Sequence, residues 1–332
     1  METNIQLKSD FEHCESLYWV FTQRCNDECA HCYNLSGPEG TTMTTEECLA
    51  IVDNLPNQCD RIILSGGEPL TERAKLYAIL EALVEKYGES TQLMLQTNGD
   101  LLTPKRLDEI LARGVTRIDI ASMDRFHQQE GRRREEIEAL FQSRGMVSDW
   151  QQPLIDKKTV TRPGVSYGFW GANEEMWLGG NWARGRAMET DIWKQDGSHN
   201  FCAILSGAKG FLGGTELAQE ISIQLWKINP CCPGTRFPIG DARNERVADV
   251  LQRVAGSPIF QALNTGDAYA MGESVGISAE TGRARADALQ NVCLWCDAFF
   301  AEHLADELGH YDTEVRPEIP LNILQPPQPP AS

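Results

Sequence analysis

The sequence predicts an α/β fold whose first half is a parallel sheet rolled into part of a barrel, with a smaller hairpin-and-helix extension after it. Three observations carry this. Short apolar runs alternate with amphipathic helical stretches from residue 16 to about 122. Each run ends at a polar loop. From about residue 200 the texture changes to one alternating strand, scattered cysteines and further helices.

Taken in order, "SLYWVFT" (16–22) is a buried strand, and "TTEECLAIVDNL" (44–55) is a helix opened by a capping box of Thr44 and Glu47. "RIIL" (61–64) is the second strand and runs into "SGGEP". The next helix carries Leu76, Ile79, Leu80, Leu83 and Val84 on one face. "QLMLQ" (92–96) is the third strand, followed by a helix with Thr103 as N-cap, Pro104 in the first turn, and Leu107, Ile110 and Leu111 inward. "VTRIDIA" (115–121) is the fourth strand. A helix over 127–143 and a strand over 164–170 follow; 145–163 gives no clear element and 179–187 reads as a loop. "EISIQLWKI" (220–228) alternates like a hairpin strand, and 240–256 includes a helix. The Pro-rich stretch from Val315 reads as a disordered end.

Strands joined through helices make right-handed βαβ units and a parallel sheet. In such sheets binding groups collect beyond the C-terminal ends of the strands. The cysteine loop after strand one, "SGGEP", "TNGD" and "ASMDRFH" would therefore share one rim.

Of 332 residues, 41% are apolar and 23% charged, which is the balance of a packed globule. With 48 acidic against 30 basic residues the net charge is −18, a field that repels phosphate backbones and argues against nucleic-acid binding. Arg132, Arg133 and Arg134 stand beside Glu135, Glu136 and Glu138, the pattern of a solvated helix face. No apolar run reaches the roughly 18 residues of a membrane span, and the N-terminus is polar with no signal region. The expectation is a cytoplasmic protein with no membrane partner.

Eleven cysteines are present. Cys14, Cys48 and Cys59 stand alone and read as small core residues. The others group as Cys25, Cys29 and Cys32; Cys202; Cys231 and Cys232; and Cys293 with Cys296. Clustered thiols in a chain without export signals point to metal or redox chemistry. A structural zinc site closes with four ligands, and a cubane needs one ligand per iron. Three cysteines in "FTQRCNDECAHCYN" (21–34) leave one iron of a cubane open. The alternative is a zinc loop or three unrelated core thiols.

The C-x3-C-x2-C loop after the first strand, with "SGGEP", "QTNG" and "IDIASMD" on the next three strand ends, resembles the radical SAM superfamily. The resemblance implies a partial (β/α)6 TIM-like barrel. It implies a [4Fe–4S] cluster on Cys25, Cys29 and Cys32, with S-adenosylmethionine (SAM) chelating the fourth iron. One electron, expected from a flavodoxin- or ferredoxin-type reductant, then cleaves SAM to a 5′-deoxyadenosyl radical that abstracts hydrogen from a substrate. His31 takes the place of the residue packed near the adenine. Gly66, Gly67, Glu68 and Pro69 match the GGEP element, with Glu68 accepting from the methionine ammonium. Asn98 is the polar contact after strand three. Ser122 contacts the ribose or carboxylate, and Asp124 either assists or caps the following helix. In "WARGRA", Arg184 or Arg186 meets the cofactor carboxylate, acts as a base, or lies on the surface.

Cys202, the Cys231–Cys232 pair and Cys293/Cys296 resemble the ligands of SPASM and twitch extensions, which carry auxiliary [4Fe–4S] clusters. Four positions fit one auxiliary cluster, with Cys231 favoured over Cys232; a structural zinc is the alternative. The implied organisation is a barrel over 1–195, an auxiliary region over 196–314 and a tail over 315–332. The auxiliary cluster would take an electron from a substrate radical, making an oxidoreductase, or would serve a structural role in a redox-neutral epimerase, decarboxylase or rearrangement enzyme. Some 15 residues precede strand one, too few for a separate peptide-binding domain, so a small-molecule substrate is expected ahead of a precursor peptide.

Overall fold

The structure, a computed structural model, describes residues 7, 8, 10–121, 134–151, 156–170, 182–204 and 206–308. Its centre is one sheet. β1 (His13–Val20), β2 (Gln58–Ser65), β3 (Gln92–Thr97), β4 (Val115–Ala121), β5 (Val147–Ser148) and β6 (Ser166–Trp170) come from the first half, and β7 (Glu220–Gln224), β8 (Lys227–Asn229) and β9 (Gly240–Asp241) from the second. The spatial order is β5-β6-β4-β3-β2-β1-β7-β8-β9. Pairings from β5 through β7 are parallel, and β8 and β9 add antiparallel edges. The sheet stays open, as a partial barrel requires. Its β7 comes from within the 196–314 stretch yet pairs directly with β1, so the extension adds to the barrel's own sheet.

Residue alternation explains the two faces. Leu17, Trp19, Ile62, Leu64, Leu93, Leu95, Ile118, Ile120, Ile221 and Ile223 point one way into the main core. There they meet α1 (Thr45–Asn54), α2 (Arg73–Tyr87) and α3 (Pro104–Leu111). Their register neighbours on the other face are Ser16, Tyr18, Arg61, Ser65, Gln96, Arg117, Asp119, Glu220 and Gln224. A parallel sheet buried on both faces reads as continuous hydrophobic runs, and a closed barrel packs its interior with branched side chains. Here the concave face is mostly polar, with one small apolar cluster of Tyr18, Val20, Ile63 and Met94. The sheet is covered on its outside and hollow on its inside.

Local signals behave as their chemistry dictates. The Thr44 hydroxyl accepts from the Glu47 amide at 3.2 Å while the Glu47 carboxylate accepts from the Thr44 amide at 2.9 Å. Thr103 caps α3 with Pro104 in its first turn. The hairpin turn at Leu225 is tied to β1: the Leu225 amide donates to the Val20 carbonyl at 2.6 Å, and Trp19 Nε1 donates to the Leu225 carbonyl at 3.0 Å. Of the helix expected over 127–143, the structure shows α4 (Arg134–Gln142), and residues 127–133 lie outside the described residues. β5, from the stretch that gave no clear element, was not anticipated.

The second half continues through α5 (Gly185–Glu189), α6 (Val247–Ala255), α7 (Pro258–Thr265), α8 (Ala279–Ala288) and α9 (Val292–His303). α9 buries eight of its twelve residues, Cys293 and Cys296 among them. No described helix is long and apolar enough to cross a membrane.

Candidate functional site

The cysteine loop leaves β1 and is held open as a frame. The Gln23 amide donates to Thr41 O at 2.7 Å, the Cys25 amide to Gly37 O at 2.9 Å, and the Gly37 amide to Gln23 O at 3.1 Å. The "SGGEP" turn is laced onto it: Gly67 N–H donates to Thr22 O at 2.7 Å and Glu68 N–H to Arg24 O at 2.8 Å. A Cβ on Gly66 would lie 2.8 Å from Thr22 O, and one on Gly67 would lie 2.4 Å from Arg24 O. These glycines are required for the approach of one loop to the other as well as for access to the cavity they line.

Glu68 sits behind that wall. It is fully buried and absent from the cavity lining. Its carboxylate accepts from Thr97 Oγ1 at 2.7 Å, Asn98 N at 2.8 Å and Leu70 N at 3.0 Å, joining the β2 rim to the β3 rim. Burial raises its pKa to about 7 against these hydrogen bonds. Pro69 starts the short helix that follows. Asn98 lines the cavity, with its amide group donating to Asn26 Oδ1 at 3.0 Å. Ser122 and Asp124 lie outside the described residues.

The cavity at the rim measures about 150 Å³. Cys25, Cys29, Cys32, His31, Gly66, Gly67 and Asn98 all line it. So do Tyr18, Tyr33, Ser65, Gln96, Trp182 and Cys232, which no sequence motif marks for this site. Strand alternation is the signal that could have found three of them, since Tyr18, Ser65 and Gln96 occupy inward positions of β1, β2 and β3. Below lies a second cavity of about 220 Å³, sharing Tyr18, Gln96 and Ser206 and lined by Arg61, Arg117, Asp119, Arg162, Lys209 and Glu220.

Burial pushes the Cys25 thiol up to about 12 and the Cys29 thiol higher still, the latter also donating to Asp27 Oδ2 at 3.2 Å. Such thiols ionise only when a cation takes the proton's place. Three soft donors lining one cavity together with oxygen and nitrogen groups suit an iron–sulfur cluster that keeps one position for a ligand.

The second thiol set forms beyond the barrel. Cys202, Cys231, Cys293 and Cys296 fall within electrostatic reach of one another and of Arg184. Cys202, Cys293 and Cys296 are buried and Cys231 is half-buried. Cys232 turns instead to the rim cavity. Arg184 is a correction to the sequence reading. It does not line the cavity; it is buried against Asp297, with Nη2 donating to Oδ1 at 3.1 Å and Nη1 lying 3.0 Å from Oδ2. It also donates to the carbonyls of Cys293, Gly234 and Ala183. Arg186 holds the other set from behind, its amide donating to Cys32 O at 2.8 Å and its Nη1 to Cys29 O at 3.2 Å. Between them Gly185 has φ +52, and a Cβ there would lie 2.4 Å from Tyr33 O, so the turn needs glycine.

Residues 19–140 match the Radical SAM superfamily. The AdoMet-dependent heme synthase of Methanosarcina barkeri is 38% identical over 109 residues, covering 31% of this chain and 29% of that protein. The pre-heme d1 synthase of Dinoroseobacter shibae is 28% identical over 162 residues, covering 45% of this chain and 34% of that one. The matching stretches thus span about a third or less of these relatives' lengths. Among solved structures, BtrN in complex with AdoMet and 2-DOIA aligns with a TM-score of 0.47 at 15% identity, over 77% of this chain and 89% of that one. A radical SAM domain implies a [4Fe–4S] cluster bound with SAM, and the donors at the rim suit that pair. The stretch that matches the Radical SAM superfamily, residues 19–140, carries the cysteine loop, "SGGEP" and "QTNG".

Proposed function

We infer that the chain cleaves SAM reductively and uses the 5′-deoxyadenosyl radical to abstract hydrogen from a small, polar metabolite. One observation carries this: the three cysteines of the rim loop and the two glycines of "SGGEP" line a single cavity above a polar, hollow barrel. In this reading Cys25, Cys29 and Cys32 hold the cluster, while His31, Gly66, Gly67 and Asn98 border SAM. Ser122 and Asp124 are assigned to SAM by the resemblance alone. Glu68 and Pro69 fix the wall. The small size and charged lining of the lower cavity favour a metabolite over a peptide, and the curated relatives are named as heme and pre-heme d1 synthases.

Cys202, Cys231, Cys293 and Cys296 are assigned a second [4Fe–4S] cluster. Support comes from their mutual reach and from their shared proximity to Arg184. A second cluster suits an oxidation, because it can accept the electron that a substrate radical gives up. A redox-neutral reading is favoured by a different observation, the Cys232 thiol inside the cavity.

The test is anaerobic reconstitution, counting iron and sulfide per chain, followed by SAM and a strong reductant. About eight irons and release of 5′-deoxyadenosine are expected, four irons per cubane. A fully loaded protein that leaves SAM intact would overturn the proposal.

A further inference from the structure

Cys231 and Cys232 are neighbours in the chain yet belong to different centres. Cys231 faces the second thiol set and Arg184. Cys232 is 7% exposed and packs with Tyr18, Val20, Ile63 and Met94 in a small cluster inside the barrel, separate from the main core. It lines the rim cavity together with Cys25, Cys29 and Cys32. Its amide donates to Ser206 O at 2.9 Å, and its carbonyl accepts from the Gln224 side chain. The backbone is thus pinned on both sides and presents the thiol to the cavity.

The thiol has a polar partner chain. Cys232 Sγ lies 3.7 Å from Tyr33 Oη, which lies 3.3 Å from Tyr18 Oη. Tyr18 Oη donates to Ser65 Oγ at 2.9 Å and has Gln96 Oε1 at 3.1 Å. Tyr18 and Gln96 border both cavities. A thiol that merely filled space would not need to stand at the head of a hydroxyl relay opening onto the site where the radical SAM domain places its cofactor.

We propose that Cys232 is the hydrogen-atom donor of the cavity, returning hydrogen to a substrate carbon radical. This rests on the hydrogen-abstraction reading above and selects its redox-neutral branch. An S–H bond is weaker than most C–H bonds, so the transfer is downhill, whereas a hydroxyl of serine offers none. Homolysis breaks the S–H bond, forms one C–H bond and leaves a thiyl radical. One electron from a ferredoxin- or flavodoxin-class reductant and one proton, carried along the Tyr18 and Tyr33 hydroxyls, restore the thiol. The substrate has then exchanged one hydrogen for another, the outcome that inverts a carbon stereocentre. The substrate class is accordingly a small molecule with a C–H bond at such a centre.

Two measurements test this, with Cys232→Ser and Cys231→Ser compared to wild type. In the first, iron per chain after reconstitution should be unchanged in Cys232→Ser and fall by about half in Cys231→Ser, four of eight irons belonging to one cubane. Loss of iron in Cys232→Ser makes that thiol a cluster ligand and overturns the proposal. In the second, the protein is equilibrated in D2O and given SAM and a thiol-free reductant, with no substrate. The deoxyadenosyl radical then meets Cys232 directly, and the 5′-deoxyadenosine formed should gain one deuterium in the wild type and none in Cys232→Ser. Undeuterated 5′-deoxyadenosine from the wild type, or equal deuterium in both proteins, overturns the donor role alone. No 5′-deoxyadenosine from a fully loaded wild type overturns the proposed function, and the donor role with it.

Discussion

The rim loop gathers its three cysteines between residues 25 and 32, on a loop framed by its own backbone hydrogen bonds. The second set draws on segments as distant as Cys202 and Cys296 and exists only when the whole second half has folded. Cys29 and Cys32 stay half-buried beside a cavity, whereas Cys202, Cys293 and Cys296 are enclosed. A buried ion pair, Arg184 with Asp297, sits among the second set. The difference separates two demands on a thiol site. A locally built set can remain open on one side and admit a ligand, while a set built from remote segments is closed and becomes part of the fold.

The sharpest break between the two comes from removing thiols. In a Cys25→Ala/Cys29→Ala/Cys32→Ala variant, SAM cleavage should fall to background and about four irons per chain should be lost, with the thermal midpoint of the iron-free protein almost unmoved. Cys293→Ala/Cys296→Ala should lower that midpoint as well as the iron content, because both positions lie on the buried face of α9. Equal loss of midpoint in the two variants would erase the distinction. The ion pair is next. Arg184→Met leaves the buried Asp297 with only the more distant Arg236, whose Nε lies 3.8 Å from Oδ2, and loss of a buried partner costs up to about 3–5 kcal/mol. Arg184→Met/Asp297→Leu removes both charges and should be milder than either single change. Denaturant midpoints decide it, and a double variant as weak as the sum of the singles would show that the two charges are not coupled.

The rim was legible in the sequence because its parts are local. The C-x3-C-x2-C spacing, "SGGEP" and "TNG" each sit on the end of a strand whose apolar run is plain, and the parallel order then brings those ends together. Arg184 was misread because its partner, Asp297, lies more than a hundred residues away and no periodicity links the two. Cys231 and Cys232 were separable only by folding, since adjacent residues point to opposite sides and the sequence does not say which side faces which centre. Tyr18 and Gln96 were visible as inward positions, but a polar concave face departs from what a buried parallel sheet leads one to expect. The pairing of β7 with β1 is a contact across two hundred residues and left no local trace.

Acidity should distinguish the two sets more gently, through Glu68. Burial holds this carboxyl at about 7 against an ordinary 4.5, so the folded state favours its neutral form. Its contribution to stability is therefore complete below about pH 4.5 and lost as pH rises through about 7, a change of about 3 kcal/mol. Glu68→Gln cannot titrate. The wild-type midpoint, measured relative to that of Glu68→Gln, should decline from pH 5 to pH 8, and iron release from the rim set should quicken over the same interval while the second set is unaffected. Parallel pH profiles for the two proteins would remove Glu68 from this role.

The smallest effect concerns how a local loop is kept in shape. Gly67 lies so close to the cysteine loop that an added Cβ would stand 2.4 Å from Arg24 O and 2.8 Å from Gln23 O, both backbone atoms that cannot swing aside. Gly67→Ala must therefore push the chain at Arg24, next to Cys25, at a cost of about 1–3 kcal/mol for overpacking. Gly256 is the control, since a Cβ there meets nothing within 4 Å. Gly67→Ala should lose rim iron to a chelator several-fold faster than wild type while the second set keeps its own, and Gly256→Ala should match wild type in both. Were Gly67→Ala to hold rim iron as firmly as Gly256→Ala, the cysteine loop would be shaped by its own hydrogen bonds alone, and the lacing to "SGGEP" would matter only for the wall of the cavity.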